Sequence, residues 1–522
     1  MNKLKILLLV IAGGLFFSTT ACNDILENVE PSTQVSGEIV LSNPDGVTAL
    51  RTSMYAKIHS SFAYRTEYFV APSAFTDETR NRPGSTRYQG LTTAVGTGGT
   101  AHIATWGTHY NVIQDANLII GAVEEGVLPQ STLDQYKAEA YTLRAFAMHN
   151  LVKVFGYDPG NFDQGDLEGN WDAGVVIRTE PVLTVPDADL RPRSSVTEVY
   201  AQIIRDLEAA LSLSDNLGTS PNFVNKAFVH GLKARVHLYQ GSWAAAAQEA
   251  QLAIDASGRQ LENTLEGVAY MFNETVGNHP EALFKLVVNA TTEAGGFNND
   301  GPGTYTADGF LAQLPTQFLV DKYEEGDYRL GRLLVDNDGE PVLRDNCNPA
   351  SSPSGCRIWE GWYRYCDEAM NNRGLTQPTG CSAVNDNGFS LTKFNGAKGN
   401  TVDDLPFMRL AEMYLILAEA QYKAGNTGAG IAALETLRNA RNAGETPSSF
   451  GSLRDFEDFI LDERMRELAL EGHRFFDLKR LKRDIRNPDG SIKMFSSSYR
   501  ILPQIGVGLR NVNPQLVENP GY

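Results

Sequence analysis

The stretch Ile460–Leu481, ILDERMRELALEGHRFFDLKRL, constrains this chain more than any other. Apolar residues recur at helical spacing through Leu461, Met465 and Leu468. The pattern breaks at Gly472 and resumes through Phe475, Phe476, Leu478 and Leu481. Glu463, Glu467 and Glu471 stand four apart, so a helix sets them on one face. Such a face is a carboxylate site, a solvated surface or a partly buried ion-pair lattice. A retaining glycosidase needs two carboxyls about 5–5.5 Å apart, which helical neighbours roughly allow. Arg464, Arg466 and Arg474 interleave, however, and arginine keeps a carboxylate ionised where a general acid needs its proton. We therefore expect a brace: the glutamates paired with Arg464, Arg474 or a neighbouring helix, and Phe475 and Phe476 packed inward.

The rest of the chain reads as mainly α. Helical periods cover 46–60, 105–125, 131–155, 196–212, 225–240, 244–256 and 428–440. An internal echo links two of them. Ala234–Gly241 and Ala418–Gly425 share an Ala-x6-Gly end that turns into a second, alanine-rich helix. This resembles a tetratricopeptide unit, and the pairs 105–155, 196–240, 228–256 and 407–440 are expected to form a scaffold of irregular period. Long irregular loops and a few short strands complete the fold; 281–288 reads as a strand. Five segments are expected: a leader over 1–21, a tether over 22–42, a helical region over 43–260, a loop-rich insertion over 261–404, and a helical region over 405–522. The span 43–522 is expected to be one compact unit.

The leader carries its own logic. Lys3 and Lys5 precede an apolar run, Ile6–Phe17, too short to span a bilayer core of about 30 Å as a helix. Small residues then lead to Ala21-Cys22, the pattern of a lipoprotein signal in which Cys22 becomes lipidated; an ordinary secretory signal is the alternative. The net charge of −18 disfavours nucleic acid as a partner and suits neutral ligands such as sugars or peptides. Cys347, Cys356, Cys366 and Cys381 cluster within the insertion. In an exported protein an even count reads as two disulfides, with three connectivities open.

Signals for catalysis and metal are weak. G-x-S-x-G, HExxH and P-loop patterns are missing from the sequence. His473 has no partner at metal spacing and reads as structural. Asp336-Asn-Asp338-Gly-Glu340 departs from the EF-hand pattern because its Gly comes too early. No metal or cofactor is expected. Aromatics are more informative. Trp359, Trp362, Tyr363 and Tyr365 fall within seven residues of the cysteine-rich insertion. They form either the core of the loop or a platform for stacking on sugars or peptides, held rigid by disulfides. Asp77, Arg80, Tyr88 and Trp106 supply a second candidate ligand wall, Trp106 alternatively being helix core.

Several motifs together resemble one family. They are the leader, Ala138-Glu139-Ala140 with Leu143-Arg144-Ala145, Arg409-Leu-Ala-Glu412 running on to Ala418-Glu419-Ala420, Glu463-Arg464-Met-Arg-Glu467-Leu, Glu471-Gly472-His473-Arg474-Phe-Phe-Asp477-Leu, and the ending Asn519-Pro520-Gly521-Tyr522. The chain resembles the SusD/RagB lipoproteins of Bacteroidetes over essentially its whole length. The resemblance implies a non-enzymatic, nutrient-binding lipoprotein on the outer face of the outer membrane. It would pass oligosaccharide or peptide to a SusC-like TonB-dependent transporter. An exported glycoside hydrolase using paired carboxylates is the alternative. The motifs that carry the likeness are scaffold, so the resemblance transfers no ligand residues.

Overall fold

The computed structural model describes residues 37–59, 63–82, 85–93, 102–103, 105–161, 171–184, 189–272, 279–289, 301–303, 312–333, 359–366, 388–394 and 402–522. The leader, Cys22, Cys347, Cys356, Cys381 and the 336–340 segment lie outside these residues, as does the side chain of Cys366.

Paired helices build the frame. Helix α1 is Pro44–His59, and a short π-helical turn at Ala63–Glu67 leads into α2, Tyr68–Ala74. Then come α3 (Gly107–Gly121), α4 (Gln130–Phe155), α5 (Val196–Ser212), α6 (Lys226–Gln240) and α7 (Trp243–Ser257). After the insertion follow α8 (Leu410–Lys423), α9 (Thr427–Ala440), α10 (Leu453–Glu467) and α11 (Arg474–Arg480). Local chemistry explains the boundaries. Ser195 and Glu198 close a reciprocal capping box that starts α5, and Val199, Ile203 and Leu207 bury one stripe. Gly241 takes a left-handed φ of 68° and stops α6, as the Ala-x6-Gly echo implied.

The helices stack in series: α3 on α4, α4 on α5, α5 on α6, α6 on α7. The next layer is α8, which packs directly on α7 although some 150 residues separate them in sequence. Helix α9 then pairs with α8. Their approach is close: a Cβ at Gly430 would lie 2.7 Å from the Ala418 carbonyl, so only glycine fits. The insertion thus interrupts the chain and not the stack.

The strands are short. Strands β1 (Thr79–Asn81) and β3 (Gln313–Pro315) pair antiparallel, as do β2 (Ala282–Leu286) and β8 (Leu405–Arg409). Within the insertion β4 (Arg332–Leu333) pairs with β5 (Trp359–Glu360), and β6 (Tyr363–Cys366) with β7 (Gly388–Leu391). Strands β2 and β8 are buried throughout and send Phe284 and Phe407 into an aromatic cluster with Tyr68, Phe146 and Phe228. One apolar core runs from Leu41 to Leu516 and includes Phe475 and Phe476, which point inward as expected. No helix among the described residues is long and apolar enough to cross a membrane.

Candidate functional site

The acidic face of α10 is fully enclosed. Glu463 and Glu467 are both 0% exposed, and Glu471 just beyond the helix is 3% exposed. Each carboxylate is held by several cations. Glu463 accepts from Arg329 at 2.7 Å, Arg438 at 2.6 Å and Arg466 at 2.5 Å. Glu467 accepts from Arg409 at 2.6 Å, Arg329 at 2.9 Å and Arg441 at 2.9 Å. Glu471 accepts from Lys393 at 2.5 Å and from Arg409 through two nitrogens at 2.7 and 2.8 Å. With Glu281, Asp327 and Glu324 added, the carboxylates balance Arg329, Arg409, Arg438, Arg441, Arg466 and Lys393 one for one. The paired arginines outweigh burial and hold Glu463 and Glu467 below the usual carboxylate range. Carboxylates pinned in this way are shut from water and cannot deliver a proton, so the trio does not form a glycosidase pair.

The lattice gathers residues from separate parts of the chain. Arg438 and Arg441 come from α9 and its end, Arg409 and Glu281 from the β2–β8 pair, and Arg329 and Lys393 from the loop-rich region. Its partners differ partly from the expected ones. Arg464 binds Asp477 at 2.7 Å, and Arg474 binds Asp77. Helical geometry explains the first, since adjacent residues point in different directions. Gly472 explains the second. Its φ of +85° turns the chain before Arg474, and a Cβ there would sit 2.2 Å from the Tyr68 carbonyl. His473 is buried and, through burial, held neutral far below its ordinary pKa, as a structural histidine.

This brace fixes both stretches expected to meet ligand. Arg474 grips Asp77 through two bonds, and the Leu470 amide donates to Glu78 at 3.1 Å, which sets the start of β1. On the other side Lys393 donates to the carbonyls of Glu467 and Ala469. Its ammonium lies 4.1 Å from the Trp362 ring, and the Thr392 amide donates to the Trp362 carbonyl. Strand β3 packs against β7, so β1–β3 and β7–β6 meet along one edge. The segments 79–81 and 363–366 are therefore linked through their partner strands, β3 and β7, which lie between them.

The eight ligand expectations divide accordingly. Trp362 and Tyr363 are closed to solvent: the Trp362 indole donates to Val268 O at 2.8 Å, and the Tyr363 hydroxyl meets that of Tyr323 at 3.0 Å. They form the internal core of the loop and not its platform. Asp77 is consumed by Arg474, and Trp106 packs edge-on against Phe155 at 4.8 Å in the core. These four expectations are corrected, because an apolar ring or an ion pair with a matched interior partner has no reason to face water. Arg80 stays half-buried. Thr79 and Asn81 both bond Gln313, so alternation turns Arg80 to the other face of β1, where its side chain makes no hydrogen bond or ion pair among the described residues. Tyr88 is half-buried with a left-handed φ of 57°. Tyr365 sits opposite Phe389, and Trp359 opposite Leu333, in their strands.

Two regions of the chain match described families: residues 280–522 match the SusD family, and residues 26–238 match a family described as starch-binding and associating with the outer membrane. The chain belongs to the SusD family. Among its relatives, SusD-like protein P38 of Formosa agariphila is 24% identical, with 96% of each chain covered. A crystal structure of a SusD superfamily protein from Bacteroides vulgatus is 22% identical, covers 92% of this chain and 99% of that one, and superposes with a TM-score of 0.70. A laminarin-binding SusD-like protein is 20% identical over 92% of this chain and all of that one, with a TM-score of 0.66.

In this SusD-family chain the motifs over 409–412 and 463–474 converge on the brace, whereas Glu139, Arg144 and Asn519 pair elsewhere, with Arg51, Asp206 and Arg193. Glu463, Glu467, Glu471 and Arg409 sit in it, Arg474 extends it to Asp77, and Glu412 lies beside it, binding Arg235 at 2.6 Å. Arg329, Lys393 and Glu281 complete it without any signal in their spacing. They come from loops and a strand edge, where no period marks a buried charge.

Proposed function

We propose that this protein is a lipid-anchored, outward-facing binding protein of the outer membrane, tethered through Cys22. It captures oligosaccharide and passes it, chemically unchanged, to a SusC-like TonB-dependent transporter. The observation that carries this reading is the likeness across nine-tenths of the chain to a laminarin-binding SusD-like protein. The family description of starch binding and outer-membrane association, matched over 26–238, supports the same reading. The arginine-locked glutamates favour binding over hydrolysis, since they remove the paired carboxylates that a glycosidase would use. The ligand is proposed to meet Arg80, Tyr88, Trp359 and Tyr365, on strands and turns that the brace keeps rigid. Guanidinium and ring faces suit the hydroxyl-lined edges and apolar faces of sugars.

The test is titration of the mature protein with a panel of neutral glycans, laminarin first, by calorimetry. Saturable binding without product formation is expected, weakened about tenfold or more in Arg80→Ala and Tyr365→Ala at unchanged Tm. Turnover of any glycan, or full affinity in both variants, would overturn the assignment. Co-purification with an outer-membrane transporter from the native cell tests the delivery step.

A further inference from the structure

A small cavity, lined by apolar side chains and a few polar ones, lies where the π-helical turn, α2, α3, α4 and α11 meet. Lys153 and Asn150, one turn apart on α4, both face it, with His109 of α3, Glu67, Tyr68 and Phe476. Lys153 is 5% exposed and, among the described residues, has no carboxylate within ion-pair distance. Its ammonium lies between two ring faces, 4.7 Å from the centroid of Tyr68 and 4.5 Å from that of Phe476. The neighbouring acids are committed elsewhere: Glu412 to Arg235, and Asp477 to Arg464 and Arg480. Burial, with Arg235 and Lys479 nearby, pushes the Lys153 pKa well below its ordinary value, so the charged form needs a counter-charge to persist there. Glu67, half-buried at the rim, has an interaction of its own.

Asn150 strengthens the case. It is 3% exposed, yet neither its Oδ1 nor its Nδ2 finds a partner. A buried amide left unsatisfied costs about 1–3 kcal/mol. His109 Nδ1 meets the Tyr64 hydroxyl at 2.7 Å. With that hydroxyl donating, the ring proton sits on Nε2 and gives the cavity a further donor.

We propose that this cavity binds a small monovalent anion of halide size, ligated by Lys153 Nζ, Asn150 Nδ2 and the His109 ring N–H. Size selects the class. The cavity volume is about 20 Å³, against the roughly 10–15 Å³ that one water needs, so a sugar or a phosphate is excluded. Charge selects the sign: a water would leave the ammonium uncompensated beside two further cations, whereas an anion compensates it and accepts from the Asn150 Nδ2 as well.

The decisive measurement is anomalous diffraction from crystals of the full protein soaked in bromide. A bromide peak between Lys153 and Asn150 is expected; a water there, or no peak, overturns the proposal. In solution, Tm should rise with the logarithm of chloride concentration relative to gluconate at matched ionic strength. Lys153→Met should lose that response, with Asn150→Leu as the second variant if the first does not fold. An equal chloride response in the folded variant would also overturn it. The wild-type bromide experiment decides the matter if neither variant folds.

Discussion

Arg474 holds Asp77 in a two-pronged ion pair, Nε to Oδ1 at 2.9 Å and Nη2 to Oδ2 at 2.8 Å, across 397 residues of chain. Both side chains are about 6% exposed. The contact ties the organising segment near the C-terminus to the start of β1, and so couples the scaffold to the edge proposed to meet ligand.

Arg474→Ala strands a buried carboxylate and should cost about 3–5 kcal/mol, read by urea unfolding. A double-mutant cycle with Asp77→Ala should return a coupling of about 0.5–3 kcal/mol. Additive losses would show that the pair is incidental.

Glu467→Gln removes a charge that Arg329, Arg409 and Arg441 share. A loss of about 3–5 kcal/mol is expected, with no change in any hydrolytic rate because the residue has no access to substrate. A melting temperature within error of wild type would contradict the brace.

Trp362→Ala and Tyr365→Ala should part company. Trp362 is fully buried, so its truncation should cost about 3–5 kcal/mol of stability. Tyr365→Ala should instead lower glycan affinity while leaving Tm unchanged. Calorimetric titration beside thermal melts separates the two.

Glu78 should give stability an unusual slope with pH. Burial drives its pKa up to about 7, Asp77 adding to that and the Leu470 amide and Arg474 opposing it. The folded state then binds the proton more tightly than the unfolded chain. Its contribution is complete below about pH 4.5 and is lost as pH rises towards 7, at most about 3 kcal/mol. Glu78→Gln should flatten the stability profile across that window. Glu467 acts with the opposite sign, since its depressed pKa makes stability fall as acid enters the range below about pH 4.3. An unchanged slope in Glu78→Gln would remove Glu78 as the source.

Gly472→Ala places a side chain at φ +85° with its Cβ 2.2 Å from the Tyr68 carbonyl. The expected cost is at least about 2 kcal/mol. A neutral substitution would mean that the turn before α11 relaxes freely.

The sequence by itself determined the helices, because 3.6-residue periodicity, the Ser195 cap and the Gly241 stop are local chemistry. It also determined that Ile460–Leu481 is a brace, because arginines interleaved with spaced glutamates describe an ion-pair lattice whatever their partners. Only the tertiary structure decided which arginines those are. Arg329, Arg409 and Arg441 reach Glu467 from a loop, a strand end and a helix end that no period connects. It likewise decided that Trp362 faces inward, since a loop with no regular period gives no rule for inside and outside until Lys393, Val268 and Phe272 close around it. Periodicity reports what each residue does within its own element; the fate of a loop residue depends on surfaces that arrive from elsewhere in the chain.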